Sequence, residues 1–171
     1  MNNVSVDRHD LALLAELQHD GRATNSALGE KIHLSTSQVS RRIQRLEESK
    51  VISHYAAVLN RDIVGLGVIA YTYVTLERQA EQGELFERAI MEIAEVLECQ
   101  AVTGEADYIL RIASADLASF AEFMSKRLLR LPGVANVKSI VALKTIKHSH
   151  SLPLEHIMQP AQVKRQLAFA G

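Results

Sequence analysis

Arg41, Arg42 and Arg45 crowd into five positions, directly after Ser35-Thr36-Ser37-Gln38 and with Ser40 beside them. Guanidinium groups neutralise phosphates or fork onto guanine edges, while Ser, Thr and Gln at a helix start reach adenine edges or phosphate oxygens. An exposed face of an ordinary helix bundle uses the same residue types, and Glu47 and Glu48 lower the local charge. Three arginines beside a capped helix start tip the balance towards double-stranded DNA as a partner. A second set is Thr103-Gly104 with Asp107. It either shapes a hairpin turn or presents a hydroxyl, an anion and open backbone N–H groups to a small ligand. His148, His150 and His156 match no common metal-ligand spacing, so a solvated tail is expected there and no metal site. Cys99 reads as a small buried hydrophobe. With no Gly-rich phosphate loop, nucleophile elbow or paired-histidine helix, the sequence offers no catalytic residues and calls for no cofactor.

The arginines need a rigid helix behind them, and the first third of the chain supplies three. Residues 7–20 read as a helix capped by Asp7, with Leu11, Leu14 and Leu17 as its stripe and Leu13 beside them. Asp20-Gly21-Arg22 breaks it, and a second helix starts near Thr24 and buries Ala27, Leu28 and Ile32. Ser35 and Gln38 fit a capping box that opens the third. Val39, Ile43 and Leu46 make its apolar stripe, Ser37, Gln38, Arg41 and Arg45 fall opposite, and Arg42 lies at the border. Three short helices with the last one capped and basic describe a helix-turn-helix, here taken as winged-helix-like over residues 1–52.

The chain has 171 residues, 47% apolar and 23% charged, with eight Gly and three Pro. It can therefore bury a core, and disordered or collagen-like classes are excluded. The single cysteine excludes a disulfide framework. No run is long and apolar enough for a membrane span, and the first residues lack a secretory pattern, so a cytoplasmic protein is expected. A net charge of −1 hides segregation. Residues 68–110 hold nine acidic against two basic side chains, and residues 111–171 hold nine basic against three acidic.

After a linker over 53–67 marked by Gly65 and Gly67, a βαββαβ order emerges over 68–154, followed by an unassigned extension over 155–171. Strands are expected at Val68–Leu76, Val96–Thr103, Tyr108–Ala113 and Val137–Ile146. One helix carries Phe86, Ala89, Ile90 and Ile93. The other is capped by Asp116 and turns Leu117, Phe120, Ala121, Met124 and Leu128 inward. The fold class is α+β, a helix-turn-helix followed by a ferredoxin-like domain. Such a sheet carries helices on one face only. The other face, with Ile69, Tyr71, Tyr73 and Thr75, is not the charged surface that water favours, so a homodimer through the sheet is expected.

Val6-Asp7, Asp10, Leu13-Leu14, Leu17 and Asp20-Gly21-Arg22 resemble the opening of the Lrp/AsnC ("feast/famine") transcription regulators. So do Leu34-Ser35, Val39, Arg41-Arg42-Ile43 and Arg45-Leu46-Glu47, then Glu98-Cys99, Val102-Thr103-Gly104 and Asp107–Leu110, then Leu131-Pro132-Gly133-Val134. The match runs from about residue 6 to Leu154. It implies a DNA-binding domain joined to a domain that binds an effector, usually an amino acid, between subunits near Gly104–Asp107, in dimers that often assemble to octamers. It also implies a lining from Ser139, Ile140 and Val141, while Asp107 would face the ammonium of the effector and the Gly104 turn its carboxylate. His33 stands where the family often has glycine, and Ala106 where it often has an aromatic residue. Some tetrapyrrole decarboxylases resemble the same two domains, so an enzyme on this scaffold is the alternative.

Overall fold

In the computed structural model, which describes residues 5–77 and 82–154, α1 spans Arg8–His19, α2 Asn25–Ile32 and α3 Thr36–Glu48. Asp7 caps α1 reciprocally: Asp10 N–H donates to Asp7 Oδ1 and Asp7 N–H to Asp10 Oδ2, both at 2.9 Å. Thr24 caps α2, and Ser35 with Gln38 forms the capping box of α3. Leu13, Leu28, Ile32, Val39 and Leu46 are the buried core, with Leu14, Leu17 and Ile43 packed against it. Ala27, expected inside, is exposed. Between α3 and Ala57 the structure has no strand, so the N-terminal part of this unit is a three-helix arrangement.

The α2–α3 turn rests on two backbone devices. His33 takes the left-handed conformation (φ 58°), a geometry that histidine tolerates better than branched residues. Leu34 N–H donates to Gly29 O at 2.9 Å, and a Cβ on Gly29 would lie 2.4 Å from Leu34 O. A backbone carbonyl cannot step aside as a flexible side chain can. Gly29→Ala is therefore expected to cost about 2 kcal/mol or more, read as a lower denaturant midpoint for this unit. An unchanged midpoint would mean that the turn opens without cost.

The described residues divide into two compact units: the three helices together with the chain from Lys147, and Val58–Ile146. In the first, Gln18 on α1 holds the tail. Leu152 N–H donates to Gln18 Oε1 at 2.6 Å, and Gln18 Nε2 donates to Leu152 O at 3.2 Å. His148 and His150 meet edge to face within that tail. His156 and the extension over 155–171 lie outside the described residues.

The second unit is a four-stranded antiparallel sheet of order β2-β3-β1-β4, with β1 Val68–Leu76, β2 Val96–Ala101, β3 Tyr108–Ser114 and β4 Val134–Val141. Helices α4 (Gln82–Met91) and α5 (Leu117–Lys126) cover one face, where Ala70, Val74, Phe86, Ile90, Leu110, Ile112, Phe120, Phe123 and Leu128 form the core. Three expectations need correction. β2 ends at Ala101 rather than Thr103, because Ala101, opposite Tyr108 at the start of β3, is its last paired residue. β4 begins and ends earlier than Val137–Ile146, because its partner β1 extends only from Leu76 back to Val68 and, among the described residues, no strand pairs with the chain beyond Ala142. On α5, Phe123 is buried while Leu117 and Ala121 are exposed. The apolar residues of α5 cover more than one face, and the arc through Phe120 and Phe123 is the one that meets the sheet.

On the uncovered face, Tyr71 lies opposite Arg111 and Ile140, and Tyr73 opposite Ile109 and Lys138. Tyr71 and Tyr73 are 37% exposed and Ile140 51%, flanked by an Arg111–Glu98 ion pair. The face is apolar along its middle and charged at its flank.

Candidate functional site

On α3 the stripe of Val39, Ile43 and Leu46 faces the core, and Thr36, Ser37, Gln38, Ser40, Arg41, Gln44, Arg45 and Glu48 are exposed. The three arginines are not equivalent. Arg42 is half-buried, and its Nη1 donates to Asp7 Oδ2 and Asp10 Oδ1, each at 2.7 Å. Hydrogen bonds to Asp7 and then Asp10 push its pKa above the ordinary value. Arg45 pairs through Nη2 with Asp10 Oδ2, and Asp10 is fully buried. Arg41 makes no ion pair among the described residues. Gln38 is also engaged, its Oε1 accepting from Ser35 N–H at 2.9 Å and Ser35 Oγ at 3.0 Å. Ser35 Oγ lies 3.1 Å from Ser37 Oγ.

Sequence reasoning missed two residues of this surface. Asp10 entered only among the residues that carry the family resemblance, yet it is the carboxylate that organises two arginines. Gln44 sits one turn beyond Arg41 on the exposed side, and its amide donates to Glu48 at 2.8 Å. Helical spacing from Ser37 and Arg41 could have found it.

In the sheet unit, Thr103, Gly104 and Asp107 form an exposed turn between β2 and β3. Gly104 has φ 124°, and nothing lies within 4 Å of where its Cβ would stand, so the backbone there is open to solvent and reserved for glycine. Asp107 does structural work as well: Leu76 N–H donates to its Oδ2 at 2.8 Å, and its own N–H donates to Val74 O at 2.9 Å. The remaining expected effector residues lie elsewhere. Ser139 Oγ is 2.8 Å from Thr72 Oγ1 on the helix side of the sheet, Ile140 is on the uncovered side, and Val141 pairs with Ala70 at the far end of β1. From Leu76 to Ala70 is about 20 Å of strand, so a single chain does not bring Asp107 and Val141 to one small ligand.

Burial, then the charge of Glu87, pushes the Cys99 thiol up, the opposite of an activated thiolate. Tyr108 is pushed up to about 12 by burial and by its hydrogen bond to Glu87 at 2.8 Å. Among the described residues no group of three His, Cys, Asp or Glu side chains is placed to hold a metal ion, and no helix is long and apolar enough to cross a membrane.

A capped basic third helix in a three-helix unit, followed in one chain by an antiparallel αβ sheet, defines a helix-turn-helix regulator with a ligand-binding domain. Residues 6–47 match the AsnC-type helix-turn-helix domain, and residues 69–152 the Lrp/AsnC ligand binding domain. The leucine-responsive regulatory proteins of Escherichia coli and Salmonella typhimurium are each 33% identical over 151 residues, covering 88% of this chain and 92% of theirs. A transcriptional regulator from Neisseria meningitidis, solved as its L-Met complex, superposes with a TM-score of 0.87 at 38% identity, over 89% of this chain and 99% of that one. An AsnC family regulator from Agrobacterium tumefaciens gives 0.84 at 32%, with the same coverage. The chain belongs to the Lrp/AsnC family of transcription regulators. Between the two readings of the scaffold, family membership decides for a DNA-binding regulator and against the decarboxylase.

Proposed function

We propose that this regulator binds DNA sequence-specifically as a homodimer joined through the uncovered sheet face, and that an amino acid seated between subunits modulates binding. The observation that carries the effector half is the L-Met complex of the Neisseria regulator, whose fold this chain shares over 89% of its length. Contact with DNA is assigned to the outward side of α3, where Thr36, Ser37, Ser40, Arg41 and Gln44 are exposed. Thr103, Gly104 and Asp107 supply one end of the effector pocket. Ser139, Ile140 and Val141 supply the other end from a neighbouring subunit, which answers the 20 Å separation within one chain. Dimers of this kind stack further, up to octamers.

The test is calorimetry with a panel of amino acids, methionine first, on wild type and Asp107→Asn. The asparagine keeps an oxygen for Leu76 N–H and removes the charge that an ammonium group needs. Affinity for the effector should fall about tenfold or more. Equal binding by both proteins would move the pocket away from Asp107, and no binding by any amino acid would sink the effector reading. A gel shift with the promoter region beside the protein's own gene tests the DNA half.

A further inference from the structure

We propose that Ser37, Arg41 and Gln44 read the DNA, while Arg42, Arg45 and Gln38 build the helix that presents them, with Asp10 on α1 as the positioning residue; this rests on the DNA-binding reading above. A fully buried carboxylate is tolerated only while it is neutralised and hydrogen-bonded. Asp10 meets that condition through Arg42 and Arg45. Neither guanidinium can turn to a phosphate without leaving Asp10 short of a partner, and Arg42 also binds Asp7. The Gln38 side-chain oxygen is likewise committed to Ser35.

What remains is a line at positions i, i+4 and i+7, opposite the buried Val39 and Leu46. Arg41 is exposed and without an ion pair among the described residues. Gln44 is held only by an exposed contact to Glu48, which it can exchange for a base edge. Arg forks onto guanine O6 and N7, and Gln onto adenine N6 and N7. Arg41 and Gln44 are separated by a rise of about 4.5 Å along the helix, against roughly 3.4 Å per base step. The expected half-site therefore carries a guanine and an adenine at adjacent or next-but-one positions. Glu48 ends the readable line, because its carboxylate repels phosphate.

The experiment selects duplexes from a random-sequence library with wild-type protein. It then measures affinity for the selected and a scrambled duplex over a salt series, with helix content checked for each variant. Arg41→Gln should lower the preference for the selected duplex roughly 10- to 100-fold, and Gln44→Ala should lose preference at one base position. Arg45→Gln, corrected for its folded fraction, should keep both the preference and the salt slope. Asp10→Asn removes the charge that binds two arginines. The released cations should reach phosphates and steepen the slope of log K against log salt by about one to two per subunit, while the preference falls. Unfolding alone would not steepen that slope. Loss of preference in Arg45→Gln equal to that in Arg41→Gln overturns the assignment, as does an Asp10→Asn protein with unchanged slope and preference. A wild-type protein that selects no sequence overturns the DNA-binding reading and this assignment together.

Discussion

Replacing Asp10 with alanine is expected to destabilise the three-helix unit by about 3 kcal/mol, at the lower end of the range for breaking a buried ion pair. The Asp10 carboxylate accepts from Asp7 N–H and from two guanidinium groups, and no part of it reaches solvent. Its loss removes the reciprocal half of the α1 cap and two of the three ion pairs between the start of α1 and α3. The cost does not rise further because the Arg45 side chain, 48% exposed, can turn to water, and because Asp7 still holds Arg42. For about fifty residues, 3 kcal/mol is comparable to the whole stability of the unit. Amide exchange across α1–α3 should then approach that of unfolded chain, while the amides of the sheet stay protected. Protected α1–α3 amides would show that Asp10 adds little.

Asp7 gives the same network a pH dependence. Burial raises its carboxyl, but hydrogen bonds from Asp10 N–H and Arg42, with the Arg42 charge, outweigh burial and hold it below the ordinary range. A depressed carboxylate contributes its full stabilisation above the unfolded value, and loses it as pH falls through the lower folded value. The midpoint of the three-helix unit should therefore be steady near neutrality and drop below about pH 4. In Asp7→Asn that share of the acid sensitivity should be gone.

Tyr71→Glu is expected to separate the proposed homodimer. Tyr71 sits mid-strand on the uncovered face between Arg111 and Ile140. A carboxylate there would be stripped of water on association and would meet its own two-fold copy nearby. Like charges in a desolvated interface cost several kcal/mol. Sedimentation should show a monomer at micromolar concentration. Affinity for a two-half-site operator should fall by about a factor of 100 or more, because two recognition helices on one body gain that much from effective concentration. Binding to an isolated half-site should change little. A dimeric Tyr71→Glu protein would place the interface elsewhere.

The ends of the elements were legible wherever a local device set them. Asp7, Thr24, Ser35 and Asp116 all cap helices as their side chains imply, since a cap involves only residues three apart. β1 matched over its full length because a run rich in β-branched and aromatic residues is itself a local signal. The end of β4 was not legible. Lys144 and Ile146 have strand-like neighbours, but a strand stops where its partner stops, and that partner lies about seventy residues upstream. The inward face of α5 was ambiguous for a related reason: with apolar residues on more than one side, only the sheet decides which side is buried.

The two candidate sites divide in the same way. The sequence by itself determined that α3 is a capped, basic helix and that Gly104 and Asp107 make a turn, because residue chemistry and short spacing suffice for both. Only the tertiary structure decided that Arg42 and Arg45 are bound to a buried Asp10 more than thirty residues away, leaving Arg41 and Gln44 facing outward. It likewise separated Asp107 from Val141 along β1. Charge type and helical phase are properties of the chain, whereas whether a charge is free or neutralised depends on what packs against it. That partner came from another helix.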